Sequence, residues 1–257
     1  MIASLPMYDW VEIAPATNRL WALVRDGLRA AGIAAPESLT RGAADLWPQW
    51  TSPDLVLSQT CGFPFRAKLH GKVTLIGTPD FGVDGCPPGY YRSVFIARAN
   101  DRRGDLAAFD NAPFAYNEAM SQSGWAAPQT HAAGLGLRFP PVVQTGGHRF
   151  SARAVADGQA DLAALDAVTW RLITRHDASL ASQLRVVGMT DPTPGLPYIS
   201  AAGADAGLMF AVVAQAMADL PAPDRSALGL HGIIAIPAQS YLAVPTPPTP
   251  AQFAPAD

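Results

Sequence analysis

Short apolar runs alternate with amphipathic helical stretches along most of the chain, and this alternation constrains the fold more than any other feature. Residues 2–7, 54–58, 72–77 and 92–98 read as strands, the last apolar between Arg92 and Arg98. Between the first two, residues 18–31 repeat Leu20, Trp21, Leu23, Val24 and Leu28 at helical spacing. A helical turn at 105–109 precedes a second series. Its strands are 113–116, 142–145, 161–165 and 184–188. Its helices are 123–135, 150–157 (closed by Gly158) and 168–176. Residues 197–200 then lead back, followed by helices at 208–220 and 224–228. Strands separated by helices predict an α/β architecture with parallel sheets. No repeat of fixed period is present.

Composition narrows the function classes. A chain of 257 residues, 49% hydrophobic, can bury a core without disulfide or metal staples. The net charge of −3 and the lack of a basic run argue against a nucleic-acid partner. No apolar stretch approaches the roughly 20 residues of a membrane span. Residues 1–6 lack the basic start and long apolar region of an export signal. The two cysteines, Cys61 and Cys86, lie beside glycines in turn-like stretches, too far apart for a typical metal motif. They could pair as a disulfide in an oxidising compartment or stay as thiols.

Five stretches at the ends of predicted strands could carry chemistry. In Asn117-Glu118-Ala119-Met120-Ser121-Gln122-Ser123-Gly124-Trp125, hydroxyls and a glycine precede a helix. Helix N-terminal N–H groups and the helix dipole favour an anion there; an ordinary serine cap gives the same pattern. Thr145-Gly146-Gly147-His148 places a histidine at a turn, where it could donate to an anion or titrate near neutrality. Asp166 ends an apolar strand, where open α/β sheets place ligands. It could accept from a ligand, hold His148, or simply cap the next helix. Ser58-Gln59-Thr60-Cys61-Gly62 follows a strand, and Tyr90-Tyr91-Arg92-Ser93 opens one. Nucleotide-binding glycine loops and the serine-hydrolase elbow are absent from the sequence, so no cofactor is expected. Only residue type supports a Ser123–His148–Asp166 triad.

In this order the stretches resemble the phosphate/phosphite/phosphonate substrate-binding proteins of ABC importers, within the phosphonate, sulfonate and transferrin-like class of periplasmic binding proteins. The resemblance covers most of residues 1–200. It implies a type 2 periplasmic-binding-protein fold, α/β, with two lobes joined by crossing segments at 92–98 and 196–200 and a ligand cleft between them. Lobe I would be 1–94 with 197–257, and lobe II 95–196; the Pro-rich tail at 245–257 is expected to fray. The resemblance implies an oxyanion cradle of Ser121, Gln122, Ser123 and Gly124, with His148, Asp166 and Tyr91 or Tyr90 beside it. From the first lobe it implies Gln59, Thr60 and Tyr8. The family usually has threonine between the two serines; Gln122 stands here, and its larger amide could fill the space of a phosphonate substituent.

The resulting expectation is a non-enzymatic, monomeric binder of a small oxyanion (phosphonate, phosphite or phosphate) serving an ABC permease. The alternatives are a sulfonate or an amine- or pyrimidine-bearing ligand, a sensory role, or an enzyme using His148. The resemblance implies a periplasmic location; the missing export signal leaves a cytoplasmic one open.

Overall fold

The structure is a computed structural model and describes residues 1–43 and 45–253. Among these the strands are β1 (Ile2–Ser4), β2 (Leu55–Gln59), β3 (Val73–Asp80), β4 (Tyr90–Tyr91), β5 (Ser93–Arg98) and β6 (Phe114–Tyr116). They continue with β7 (Pro141–Gln144), β8 (Leu162–Asp166), β9 (Leu184–Met189), β10 (Thr193–Pro194), β11 (Tyr198–Ala201) and β12 (Gly232–Ile234). The helices used below are α1 (Ala14–Ala30), α2 (a π-wound start, Gln122–Ala126, running on through Ala127–Gly134), α3 (His148–Ala156), α4 (Ala167–His176) and α5 (Ala206–Asp219). The chain forms two compact units. Unit 1 holds Met1–Tyr90 and Pro194–Leu242; unit 2 holds Tyr91–Thr193 and residues 243–253.

Unit 1 is built on a five-stranded sheet in the order β1-β2-β11-β3-β12. β1 and β2 run parallel, and the Ser4 and Ser58 hydroxyls bond across them at 2.8 Å. Leu20, Trp21, Val24 and Leu28 of α1 join Met209, Val213 and Met217 of α5 in one core cluster. A second cluster gathers Trp50, Leu55, Phe65, Ile199 and Tyr241. Among the described residues no single helix is long and apolar enough to cross a membrane. α5 and the helix Ala222–Leu228 pass that test only together, across a 111° bend, and α5 buries Met209, Val213, Ala216 and Met217.

Unit 2 carries a sheet in the order β7-β6-β8-β5-β9. Phe95, Ile96, Phe114, Phe139, Leu162 and Leu165 are completely buried in it. Strand β6 runs parallel to β7 and β8, but β5 runs antiparallel to β8 and β9. In unit 1, β11 is likewise antiparallel to β2 and β3. The sheets are therefore mixed, not parallel as the alternation predicted. β5 and β11 are the first long strands after the chain passes from one unit to the other. No crossover helix returns them to the direction of their neighbours.

Three local expectations change. Strand β1 stops at Ser4 because Pro6 starts a 3₁₀ turn, and α1 starts at Ala14 with Pro15 in its first turn. Cys61 and Cys86 are thiols, not a disulfide: one caps the turn after β2, and the other is tied to Val83 by a 3.0 Å backbone bond. Residues 245–253 of the tail belong with unit 2, not with the first lobe, and they dock where fraying was expected. The fully buried Trp125 donates its indole N–H to the Pro248 carbonyl at 3.0 Å. Phe253 meets the same ring edge-on at 5.9 Å, and Arg138 lies over Phe253. A proline-rich segment outside helix and sheet has no internal ladder, so its carbonyls are available to such a donor. Residues 254–257 of the expected tail lie outside the described residues.

Candidate functional site

In unit 2 the chain leaves β6 at Tyr116 and turns into α2. Ser121 caps that helix: its Oγ accepts from the Gly124 N–H at 3.0 Å, and its carbonyl accepts from the Ala126 N–H at 2.9 Å. The π winding widens the first turn. Ser121, Gln122 and Ser123 are all buried. The turn is pinned from β5, where the Ser93 hydroxyl donates to the Ser123 carbonyl at 2.8 Å. Ser93 is itself held by its N–H bond to Thr190 Oγ1 at 3.0 Å.

His148 arrives from β7. Gly146, at a φ of 79°, makes the left-handed turn after that strand, and its N–H donates to the Asn117 carbonyl at 2.9 Å. His148 opens α3, and its Nε2 lies 2.8 Å from Ser123 Oγ. Its Nδ1 is buried. Burial pushes the imidazole pKa down to about 4, and the Ala164 backbone, which favours the protonated ring, offsets only part of this. The ring is therefore neutral at physiological pH.

Gly124 lets these groups close together. A Cβ there would collide with Asn117 Oδ1 and would lie 3.2 Å from His148 Cε1. Asn117 Oδ1 is buried with no hydrogen-bond partner. Two residues beyond the sequence expectation thus join the site. Ser93 sits inside the Tyr-Tyr-Arg-Ser motif, and Asn117 opens the serine stretch; neither residue type signals its contact, which depends on folding across the sheet.

Asp166 is turned to the backbone. Its Oδ1 accepts from the N–H groups of Val168 (2.7 Å) and Thr169 (3.2 Å), capping α4. His148 Nε2 meets Ser123, but its Nδ1 has no hydrogen-bond partner, so no Ser–His–Asp relay forms. Tyr91 is buried at the start of unit 2, and Tyr90 is half-buried at the edge of unit 1.

In unit 1, Gln59 ends β2; its Nε2 donates to the Leu196 carbonyl at 3.2 Å, and its own carbonyl accepts from Trp50 Nε1 at 3.3 Å. Thr60 donates its N–H to the Pro197 carbonyl at 3.0 Å, while its Oγ1 is buried and unbonded. Tyr8 packs edge-on against Phe81 at 4.9 Å. Tyr8, Gln59, Phe81 and Tyr198 line part of a cavity of about 30 Å³, room for a single water. Among the described residues no His, Cys, Asp and Glu group could hold a metal.

A two-unit α/β protein with a buried serine turn at a helix start is built to bind a small ligand, in the manner of type 2 periplasmic binding proteins. Residues 54–240 match the family described as ABC transporter, phosphonate, periplasmic substrate-binding protein, and the chain belongs to that family. XAC2383 from Xanthomonas citri, solved with chloride, is 17% identical with a TM-score of 0.71, covering 93% of this chain and 92% of its own. PhnD1 from Prochlorococcus marinus, solved with methylphosphonate, is 14% identical with a TM-score of 0.71, covering 93% and 94%. A binding-protein component of an ABC phosphonate transporter from Pseudomonas aeruginosa is 15% identical with a TM-score of 0.67, covering 91% and 81%. No curated protein matches the chain. As a family member, the chain is a substrate-binding component of ABC-type uptake.

Proposed function

We propose that this chain captures a small phosphorus oxyanion, a phosphonate, phosphite or phosphate, in the periplasm and delivers it to an ABC permease. The observation that carries the reading is the buried turn Ser121-Gln122-Ser123-Gly124 at the start of α2, with His148 held against Ser123 at 2.8 Å. Helix N–H groups and the helix dipole attract an oxyanion, and burial strengthens each hydrogen bond made to it. Gln122 stands at the position where the ligand's organic substituent would pack. Tyr91 borders the same unit. Tyr8, Gln59 and Thr60 are the counterpart residues in unit 1, and Asp166 serves the fold as a helix cap. The protein acts as a monomer, without nucleic acid, and returns its ligand unchanged, in keeping with a substrate-binding component of an ABC transporter. The likeness to PhnD1, solved with methylphosphonate, and to a binding-protein component of an ABC phosphonate transporter from Pseudomonas aeruginosa supports a phosphonate ahead of a sulfonate.

The test is a thermal-shift panel of phosphate, phosphite, methylphosphonate, aminoethylphosphonate, sulfate and taurine, followed by calorimetry. A ligand that binds only the folded state raises its stability by mass action. Ser123→Ala should weaken a phosphorus-oxyanion hit by about 1–3 kcal/mol, the range for a hydrogen bond to a charged group. A flat response to every phosphorus oxyanion refutes the reading.

A further inference from the structure

We infer that the proline-rich tail is a working part of the oxyanion site: it sets the Ser121–Gly124 turn through Trp125, a positioning residue. The binding consequence rests on the oxyanion reading; the hold of the tail on the turn does not.

The turn is wound in an unusual way. The Ala126 and Ala127 N–H groups reach back five residues, to the Ser121 carbonyl at 2.9 Å and to the Gln122 carbonyl. Winding of this kind is rare, so contacts outside the helix must hold it. Ser93 and His148 hold Ser123. Trp125 follows Gly124 directly, lies in the same widened turn and is fully buried. Its ring meets Tyr116, the last residue of β6, at 5.1 Å. Its indole N–H donates to the Pro248 carbonyl at 3.0 Å, and Phe253 packs on it edge-on at 5.9 Å. The indole is therefore tied both to the strand that enters the turn and to the tail.

The tail is shaped for this grip. Thr249 donates its N–H and its hydroxyl to Gln252 Oε1 at 3.1 and 2.9 Å, and the Gln252 N–H returns to the Thr249 carbonyl at 2.9 Å. These bonds close the 3₁₀ turn Pro250–Gln252, which delivers Phe253 to Trp125. The prolines restrict the free chain, so little freedom is lost when the tail docks. Beyond the far end of α2, the Arg138 guanidinium lies 5.1 Å over the Phe253 ring. A cavity of about 440 Å³ lies between the tail and the middle of α2, lined on the helix side by Gln129, Thr130 and Ala133. The grip on the helix is thus concentrated at its first turn, next to the cradle. Without the tail the indole N–H would have no acceptor. A buried unpaired donor is costly, so the ring would move to reach water. Trp125 shares a peptide bond with Gly124, whose N–H holds the Ser121 hydroxyl at 3.0 Å, so the movement passes into the cradle.

The experiment is calorimetric titration of methylphosphonate into whole-chain variants, beside amide spectra of the same proteins without ligand. Phe253→Ala removes the ring contact and Trp125→Phe removes the indole N–H. Each should bind methylphosphonate about 5- to 50-fold more weakly, within the range of coupling between sites. The Gln122, Ser123 and Gly124 amide resonances should shift in ligand-free Phe253→Ala. Asp205→Ala is the control: it removes the cap of α5 in unit 1, where Asp205 Oδ1 accepts from the Leu208 N–H at 3.0 Å, and so lowers stability without touching the turn. Its affinity and its cradle resonances should match the wild type. A chain ending at Leu242 should regain affinity when a synthetic peptide of residues 243–253 is added, and methylphosphonate should tighten that peptide by the same factor. Variants that melt earlier but bind methylphosphonate as tightly as the wild type overturn the inference, because the tail is then structural only. Unmoved cradle amides in Phe253→Ala overturn it too. The two point variants decide the matter if the shortened chain does not fold. If the intact chain binds no phosphorus oxyanion, the oxyanion reading itself fails, and the ligand-free amide spectra still judge the hold of the tail on the turn.

Discussion

Gly124→Ala is the most direct probe of the cradle. The added Cβ overlaps Asn117 Oδ1 and lies 2.9 Å from Asn117 Cγ and 3.2 Å from His148 Cε1, so both side chains must retreat. Overpacking of this kind costs about 1–3 kcal/mol. Replacing a helical glycine returns about 0.5–1 kcal/mol of backbone entropy. The expected net loss is about 1–2 kcal/mol, a fall in melting temperature of about 2–8 °C for a chain of this size. Gly134 provides the control. It closes the same helix and has nothing within 4 Å of its would-be Cβ, so Gly134→Ala should be neutral or stabilising. Paired melting curves and calorimetry read both effects. Oxyanion affinity should drop at least about tenfold in the first variant, as expected when buried partners are displaced, and stay unchanged in the second. Equal stability and equal affinity in the two variants would refute the close approach of Asn117, His148 and Gly124.

Three further outcomes are expected. Asp166→Ala should cost about 0.5–2 kcal/mol of stability through loss of the α4 cap, and Asp166→Asn far less, as read by denaturant midpoints. A chain ending at Leu242 should lose about 1–3 kcal/mol, because the Trp125 indole forfeits both its Pro248 bond and its contact with Phe253; the Trp125 N–H resonance should shift accordingly. His148 has a folded pKa lowered to about 4 from 6.5, so the unfolded chain binds a proton that the folded chain refuses. The wild type should therefore lose stability relative to His148→Gln as pH falls from 6.5 towards 4, and parallel stability curves across that window would show that the ring is not buried as described.

Local signals on the chain carried much of the architecture. The 3.6-residue spacing in α1, the apolar runs of β2, β3, β5 and β8, and Gly158 after α3 all mark elements whose energetics are mostly local. Ser121 and Asp166 were legible as caps for the same reason, since a cap bonds within three residues of itself. The order of the serine and glycine–histidine stretches carried the family as well. The contacts that make a site were not legible in this way. Ser123 and His148 lie 25 residues apart in the chain, and Ser93 and Ser123 30 apart. Whether they meet depends on β5, β6 and β8 adjoining in one sheet, and hydrophobic periodicity says nothing of strand order or direction. The same limit explains the antiparallel β5 and β11 and the separate thiols of Cys61 and Cys86. It also explains the proline-rich tail, which composition marks as frayed and which one buried indole, Trp125, holds in place. Local chemistry determined which elements form and which side chains could carry charge or donate; long-range packing decided which of those side chains face one another.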